Sequence, residues 1–189
     1  ARLSHLGYDG DPGFGGQTLC EVLRIEDPGW AFIKARFPEN HDPWGPNALT
    51  RIWSWGPFQS DIGPGMCRVL ADMLVLGLAG VVHLFPGIPD GVPARFHSLR
   101  APGAFLISAE KRGDQVDYIL VRSLAGGTLR MENPWSGRPV VVTGLRQGDT
   151  LVTTAADIID VPTTAGADYL VTLVDTDISA IPVVDFAST

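Results

Sequence analysis

Asp61 is the residue in this sequence best placed for chemistry. It closes the run Pro57-Phe58-Gln59-Ser60 and stands just before Ile62-Gly63-Pro64-Gly65, where the clearest helix pattern of the chain opens. A carboxylate at that point is held by the free backbone N–H groups of a helix start and by the positive end of its dipole. Both keep it ionised and fixed in direction. Such a group suits a general base that takes a proton from water, although a carboxylate that only caps the helix has the same position. Trp53 and Trp55 precede it closely, with Trp30 and Trp44 further upstream. Indole faces stack on the C–H faces of sugar rings, so tryptophans beside a carboxylate are one way to build a sugar subsite. Core packing is the other role open to each ring. His41 lies in the loop His41-Asp42-Pro43-Trp44-Gly45-Pro46, which can reach a cleft, while Asp42 before Pro43 is also a turn former.

Other chemistries find little support. Gly13-Phe14-Gly15-Gly16 lacks the lysine and the flanking strand and helix of a phosphate loop, and reads as a turn. The histidines at 5, 41, 83 and 97 never pair at metal-ligand spacing, so no metal site and no cofactor are expected. His83, in an apolar run, is expected to be a satisfied core histidine. No Gly-x-Ser-x-Gly elbow accompanies a histidine for nucleophilic catalysis. The net charge is −7 and the 14 Lys and Arg are scattered, so there is no basic stripe to neutralise phosphates. Neither nucleic acid nor a membrane is an expected partner. The longest apolar stretch, residues 73–85, is broken by Gly77, Gly80 and His83 and falls short of the roughly 20 residues of a membrane span. Cys20 and Cys67 allow at most one bridge.

The elements that must position these groups follow from periodicity. Residues 7–65 are dense in Gly, Pro, Trp and Asp, which predicts long structured loops with one short helix over 17–25. Met66, Val69, Leu70, Met73 and Leu74 fall at i, i+3, i+4, i+7 and i+8, predicting a helix over 66–76 with that stripe buried. Pro64 suits its first turn, and Gly77 and Gly80 suit its end. From Val81 onward the period becomes two. Segments 104–109 and 116–121 flank Lys111-Arg112-Gly113-Asp114 as a hairpin, and further strands are expected over 128–131, 139–143, 150–153 and 169–174. At least six short strands without an intervening helix predict a β-sandwich. The expected organisation is mainly β: a loop-rich helical segment, residues 1–80, followed by a C-terminal β-sandwich, residues 81–189. At 45% hydrophobic residues the chain can fill such a core.

Residues 57–140 resemble part of glycoside hydrolase family 95, the large α-L-fucosidases. The resemblance rests on Phe58-Gln59-Ser60-Asp61, Gly65 and Ala71-Asp72-Met73-Leu74, which align without a gap. Val82-His83-Leu84-Phe85-Pro86-Gly87-Ile88-Pro89 and Leu99-Arg100-Ala101-Pro102-Gly103-Ala104-Phe105 follow in order, then Ser123-Leu124-Ala125-Gly126-Gly127 and Asn133-Pro134-Trp135. It implies that residues 1–80 are the end of a double ring of helices, an (α/α) toroid, and that the reaction is hydrolysis with inversion. It further implies that Asp61 is the general base; Gln59, Trp53, Trp55 and His41 are the residues expected on the carbohydrate substrate. The family's acid, a glutamic acid, lies well upstream of the matched aspartate. With 60 residues before Asp61, that acid is expected in an upstream catalytic domain of the same protein rather than in this chain. Gly63 and Pro64 stand where the family has an asparagine and an aromatic residue. A stand-alone carbohydrate-binding or structural β-sandwich module is the competing expectation.

Overall fold

The computed structural model describes residues 50–51, 58–59, 62–146 and 148–181. Their order is β1 (Thr50–Arg51), β2 (Phe58–Gln59) and α1 (Ile62–Leu74), followed by strands alone. These are β3 (Val75–Leu78), β4 (Val81–Leu84), β5 (Ala94–Ala101), β6 (Phe105–Arg112), β7 (Gln115–Ser123) and β8 (Gly127–Glu132). Then come β9 (Val140–Gly144), β10 (Thr150–Thr154), β11 (Ile158–Thr163), β12 (Asp168–Leu173) and a 3₁₀ turn, Ile178–Ala180. The described residues up to Leu74, together with Pro86–Pro89, belong to one compact unit. Val75–Phe85 and the residues from Asp90 onward belong to a second.

The second unit is the expected β-sandwich. One sheet has six strands in the order β10-β9-β12-β7-β6-β5, and the other has four in the order β11-β8-β4-β3. Every pairing within the two sheets is antiparallel except β4 with β8, which meet at the single pair Val82↔Met131. Alternation explains the core. Ile107, Ile119, Val121, Val140, Val142 and Val171 of the larger sheet are buried, as are Val82, Leu129, Met131, Ile159 and Val161 of the smaller. The sheets are tied directly where Ser123 Oγ of β7 and Thr163 Oγ1 of β11 lie 2.8 Å apart, which identifies the inward side of β7. Trp135 Nε1 donates to Val116 O at 2.7 Å as a second tie.

The hairpin expected around Lys111-Arg112-Gly113-Asp114 is present as β6 and β7, with Arg112 opposite Gln115. Gly113 has φ +58° and Asp114 does not share the positive sign, the pattern of a type II′ turn that demands glycine first. Strands β8, β9, β10 and β12 also lie where alternation places them.

The helix differs from its expected span. It runs Ile62–Leu74, so Pro64 is its third residue, where no intrahelical N–H bond is lost. It ends before Gly77, because Val75–Leu78 pairs with Val81–Leu84 as a hairpin instead. Gly77 is therefore a strand residue. A Cβ there would fall 2.3 Å from Cγ of Pro102, so the Pro102 ring requires glycine at that point. The expected stripe also differs: Met73 is buried and Leu74 half-buried, but Leu70 is 48% exposed. The side chains of Met66 and Val69 lie outside the described residues, as does the helix expected over 17–25. Asp72, off the stripe, is buried instead.

The β3–β4 turn, Ala79-Gly80, has φ +50° and +79°, the type I′ arrangement that favours Asn-Gly. A Cβ at left-handed φ costs about 1–2 kcal/mol, and asparagine tolerates that region better than alanine. Ala79→Asn is expected to stabilise the protein by about 0.5–1 kcal/mol. Thermal unfolding checks this, with Ala79→Val expected to move the midpoint the opposite way.

Candidate functional site

Of the residues expected at the site, Asp61, Trp53, Trp55 and His41 lie outside the described residues. Gln59 is on β2, its backbone opposite Thr50 of β1. Helix α1 begins at Ile62, the residue after Asp61 in the sequence. The first four N–H groups of any α-helix lack an intrahelical acceptor. Pro64 has none to offer, so Ile62, Gly63 and Gly65 present the free donors of this helix start. No acidic residue occurs within the first turn of α1 itself to compete for them. This helix end can orient and keep ionised an anionic group set against it.

Asp72 is the other carboxylate of α1. Its oxygens both accept from Arg68 Nε at 2.9 Å, one turn earlier on the helix. Arg68 is largely exposed while the Asp72 side chain is 6% exposed, so the ion pair keeps a buried charge near the negative end of the helix dipole. From Ile62 to Asp72 the axis rises about 15 Å. Inverting hydrolysis uses carboxylates about 6.5–9.5 Å apart, so Asp72 is not the acid for a base held at the start of α1.

The downstream motifs of the sequence are joints of the sandwich. Thr163 Oγ1 donates to Gly127 O at 2.7 Å, so Ser123 supplies the proton between the two hydroxyls and itself accepts from Gly126 N. Gly126 and Gly127 have φ +78° and +95°, which reserves both positions for glycine. Asn133 donates through Nδ2 to Arg138 O and Ala156 O, and its Oδ1 accepts from Trp135 N. Gly87 N donates to Met73 O, satisfying one of the carbonyls left free at the end of α1. Phe85 has φ +56°, unusual for a bulky residue, and its ring lies edge-on to Phe96 with centroids 5.2 Å apart.

His83 is not the core histidine its apolar neighbours predict. Val82 takes the inward position opposite Met131, which turns His83 to the other side of the strand. There it is half-buried, with Nδ1 2.7 Å from Glu132 Oε2. Arg122 and Asp168 form a bidentate pair at 2.7 and 2.9 Å, directly opposite across β7 and β12. Sequence reading missed it because 46 residues separate the partners. Tyr118 donates to Glu110 Oε2 at 3.3 Å, and burial first, then the Glu110 charge, push its hydroxyl above the ordinary phenol range.

The aromatic side chains of the described sandwich are Phe85, Phe96, Phe105, Tyr118, Trp135 and Tyr169, and all are buried. Among the described residues no three His, Cys, Asp or Glu side chains gather to hold a metal ion, and no helix is long and apolar enough to cross a membrane. Neither the protein-family models nor the curated proteins compared with this chain match it.

Proposed function

We propose that this chain is the C-terminal part of an inverting glycoside hydrolase of the α-L-fucosidase type, supplying the general base Asp61 and a supporting β-sandwich. The observation that carries the reading is the start of α1 at Ile62, directly after Phe58-Gln59-Ser60-Asp61. A helix start offers the donors that keep a carboxylate ionised and aimed, which is what a base for water requires. The mechanism is then a single displacement. Asp61 accepts a proton from water as its oxygen bonds to the anomeric carbon, the glycosidic C–O bond breaks on the opposite face, and an upstream acid protonates the departing oxygen. Gln59, Trp53, Trp55 and His41 are assigned to the sugar. The motifs of the sandwich spend their polar groups on internal bonds.

A stand-alone sugar-binding module is the second reading. Stacking on a sugar needs an exposed ring, and every described aromatic side chain of the sandwich is buried. The reading that makes the sandwich a support is favoured for that reason. Mixing the chain with the upstream portion of its parent is expected to restore hydrolysis of an α-linked sugar, while calorimetry of the chain alone against mono- and oligosaccharides is expected to show no binding. A stable complex without turnover, together with sugar binding by the isolated chain, would reverse the choice.

A further inference from the structure

Asp90-Gly91 is one of two Asp-Gly pairs in the sequence, and it forms an exposed turn between β4 and β5. Such a pair carries its own chemistry. The backbone nitrogen of the glycine can attack Cγ of the aspartate before it, because glycine has no Cβ to obstruct the approach. The N–Cγ bond forms as the Cγ–OH bond breaks, and the amide proton and the hydroxyl leave as water. Water then opens the resulting succinimide at either carbonyl. Opening at the main-chain carbonyl of the aspartate routes the backbone through Cβ and Cγ, giving isoaspartate, which has one more methylene in the chain and the same mass as aspartate.

In the folded chain the glycine nitrogen is engaged. Gly91 N donates to Asp114 Oδ1, which lies 23 residues away in the sequence, at the turn of the β6–β7 hairpin. Gly91 has φ +73°, a conformation that glycine adopts without strain. The bond to Asp114 acts on the first step in two ways. It fixes the plane of the Asp90–Gly91 peptide, so the nitrogen is not free to turn toward Cγ while the bond is made. The charge of the carboxylate also opposes loss of the N–H proton, which the nitrogen must shed to become a nucleophile. We propose that Asp90-Gly91 is a site of spontaneous isomerisation that Asp114 holds closed, opening only when the β6–β7 hairpin releases it. All three residues belong to the second unit, and the inference does not depend on the glycosidase reading.

Peptide mapping of the full chain after prolonged incubation at physiological pH and temperature tests it, with a synthetic peptide of residues 85–95 as the unfolded reference. Electron-transfer fragmentation tells isoaspartate at position 90 from aspartate. The wild-type chain is expected to form it about ten-fold more slowly than the peptide, since a hydrogen bond to a charged acceptor must open first. Asp114→Ala is expected to recover most of that difference while far-UV circular dichroism is unchanged. Asp114→Asn, which keeps an acceptor without the charge, is expected to fall between, and Gln115→Ala, the next residue of the hairpin, to match wild type. Should Asp114→Ala fail to fold, Asp114→Gly, which suits the same turn, is measured instead, with the same acceleration expected. Isomerisation of wild type as fast as the peptide, or of Asp114→Ala no faster than wild type, would overturn the proposal. A slower Asp114→Ala chain would also overturn it, by making Asp114 the group that takes the amide proton.

Discussion

Trp135→Ala is expected to destabilise the sandwich by about 3–5 kcal/mol, the range for emptying a well-packed aromatic site. Two effects add. The indole is 5% exposed, so truncation leaves a cavity that rigid strands on either side fill poorly. Its Nε1 also donates to Val116 O at 2.7 Å, and that carbonyl loses its side-chain partner. The Asn133 bonds are expected to stay, because its Oδ1 accepts from the backbone N–H of residue 135, which alanine keeps, while its Nδ2 bridges to Arg138 O and Ala156 O. Trp135→Phe separates the effects: it keeps most of the packing but not the bond, and is expected to cost about 1–3 kcal/mol. Urea unfolding of both variants checks the order. A Trp135→Ala protein within about 1 kcal/mol of wild type would remove this residue from the joints that hold the two sheets together.

Much of the sandwich was legible because alternation is a local signal. Phe105, Ile107 and Ala109 on β6, and Ile119 with Val121 on β7, repeat at period two around a Gly-Asp turn. Strands β3, β4, β5 and β11 were not among the expected segments, and two of these, β5 and β11, are hidden by local features. In β5 the pairing shifts between Phe96 and Leu99, where Ser98 takes φ +54°, so the alternation read from Ala94 onward is broken midway. In β11, Asp160 and Pro162 look like breakers, yet an edge strand tolerates both, since Pro162 has no N–H to offer on its free side. The end of α1 was misplaced because Val75, Leu76 and Leu78 fit an apolar helix as well as a strand. Only the Ala79-Gly80 turn and the pairing with β4 decide between them, and pairing is not local.

The candidate site was legible in part. Pro64 and the glycines around it announce a helix start after Asp61, and α1 does begin at Ile62. The burial of Asp72 was not legible, because its partner Arg68 is also the residue that helical spacing assigns to a solvated face. For the downstream motifs, sequence order carried the resemblance, and what Ser123, Gly126, Asn133 and Trp135 do required coordinates, since each bonds across 3 to 40 residues of chain.

The second large effect concerns Asp61. In the complete enzyme, Asp61→Asn is expected to leave folding nearly unchanged, because asparagine caps a helix about as well as aspartate. On the proposed function it removes the proton acceptor, and a general base contributes about 10²–10⁴-fold. The loss should fall on kcat, since the amide keeps the size and much of the hydrogen bonding of the carboxylate in the ground state.

Proton NMR of an aryl α-L-fucoside, turned over by the complete enzyme carrying wild-type Asp61 or Asp61→Asn, tests the central claim most directly. The proposed function predicts that the β-anomer of the sugar appears first with wild type, as inversion of an α-linkage requires, and that the folded Asp61→Asn enzyme is slower by at least about 10²-fold. The α-anomer appearing first, or wild-type turnover by folded Asp61→Asn, would contradict it and leave Asp61 as a helix cap.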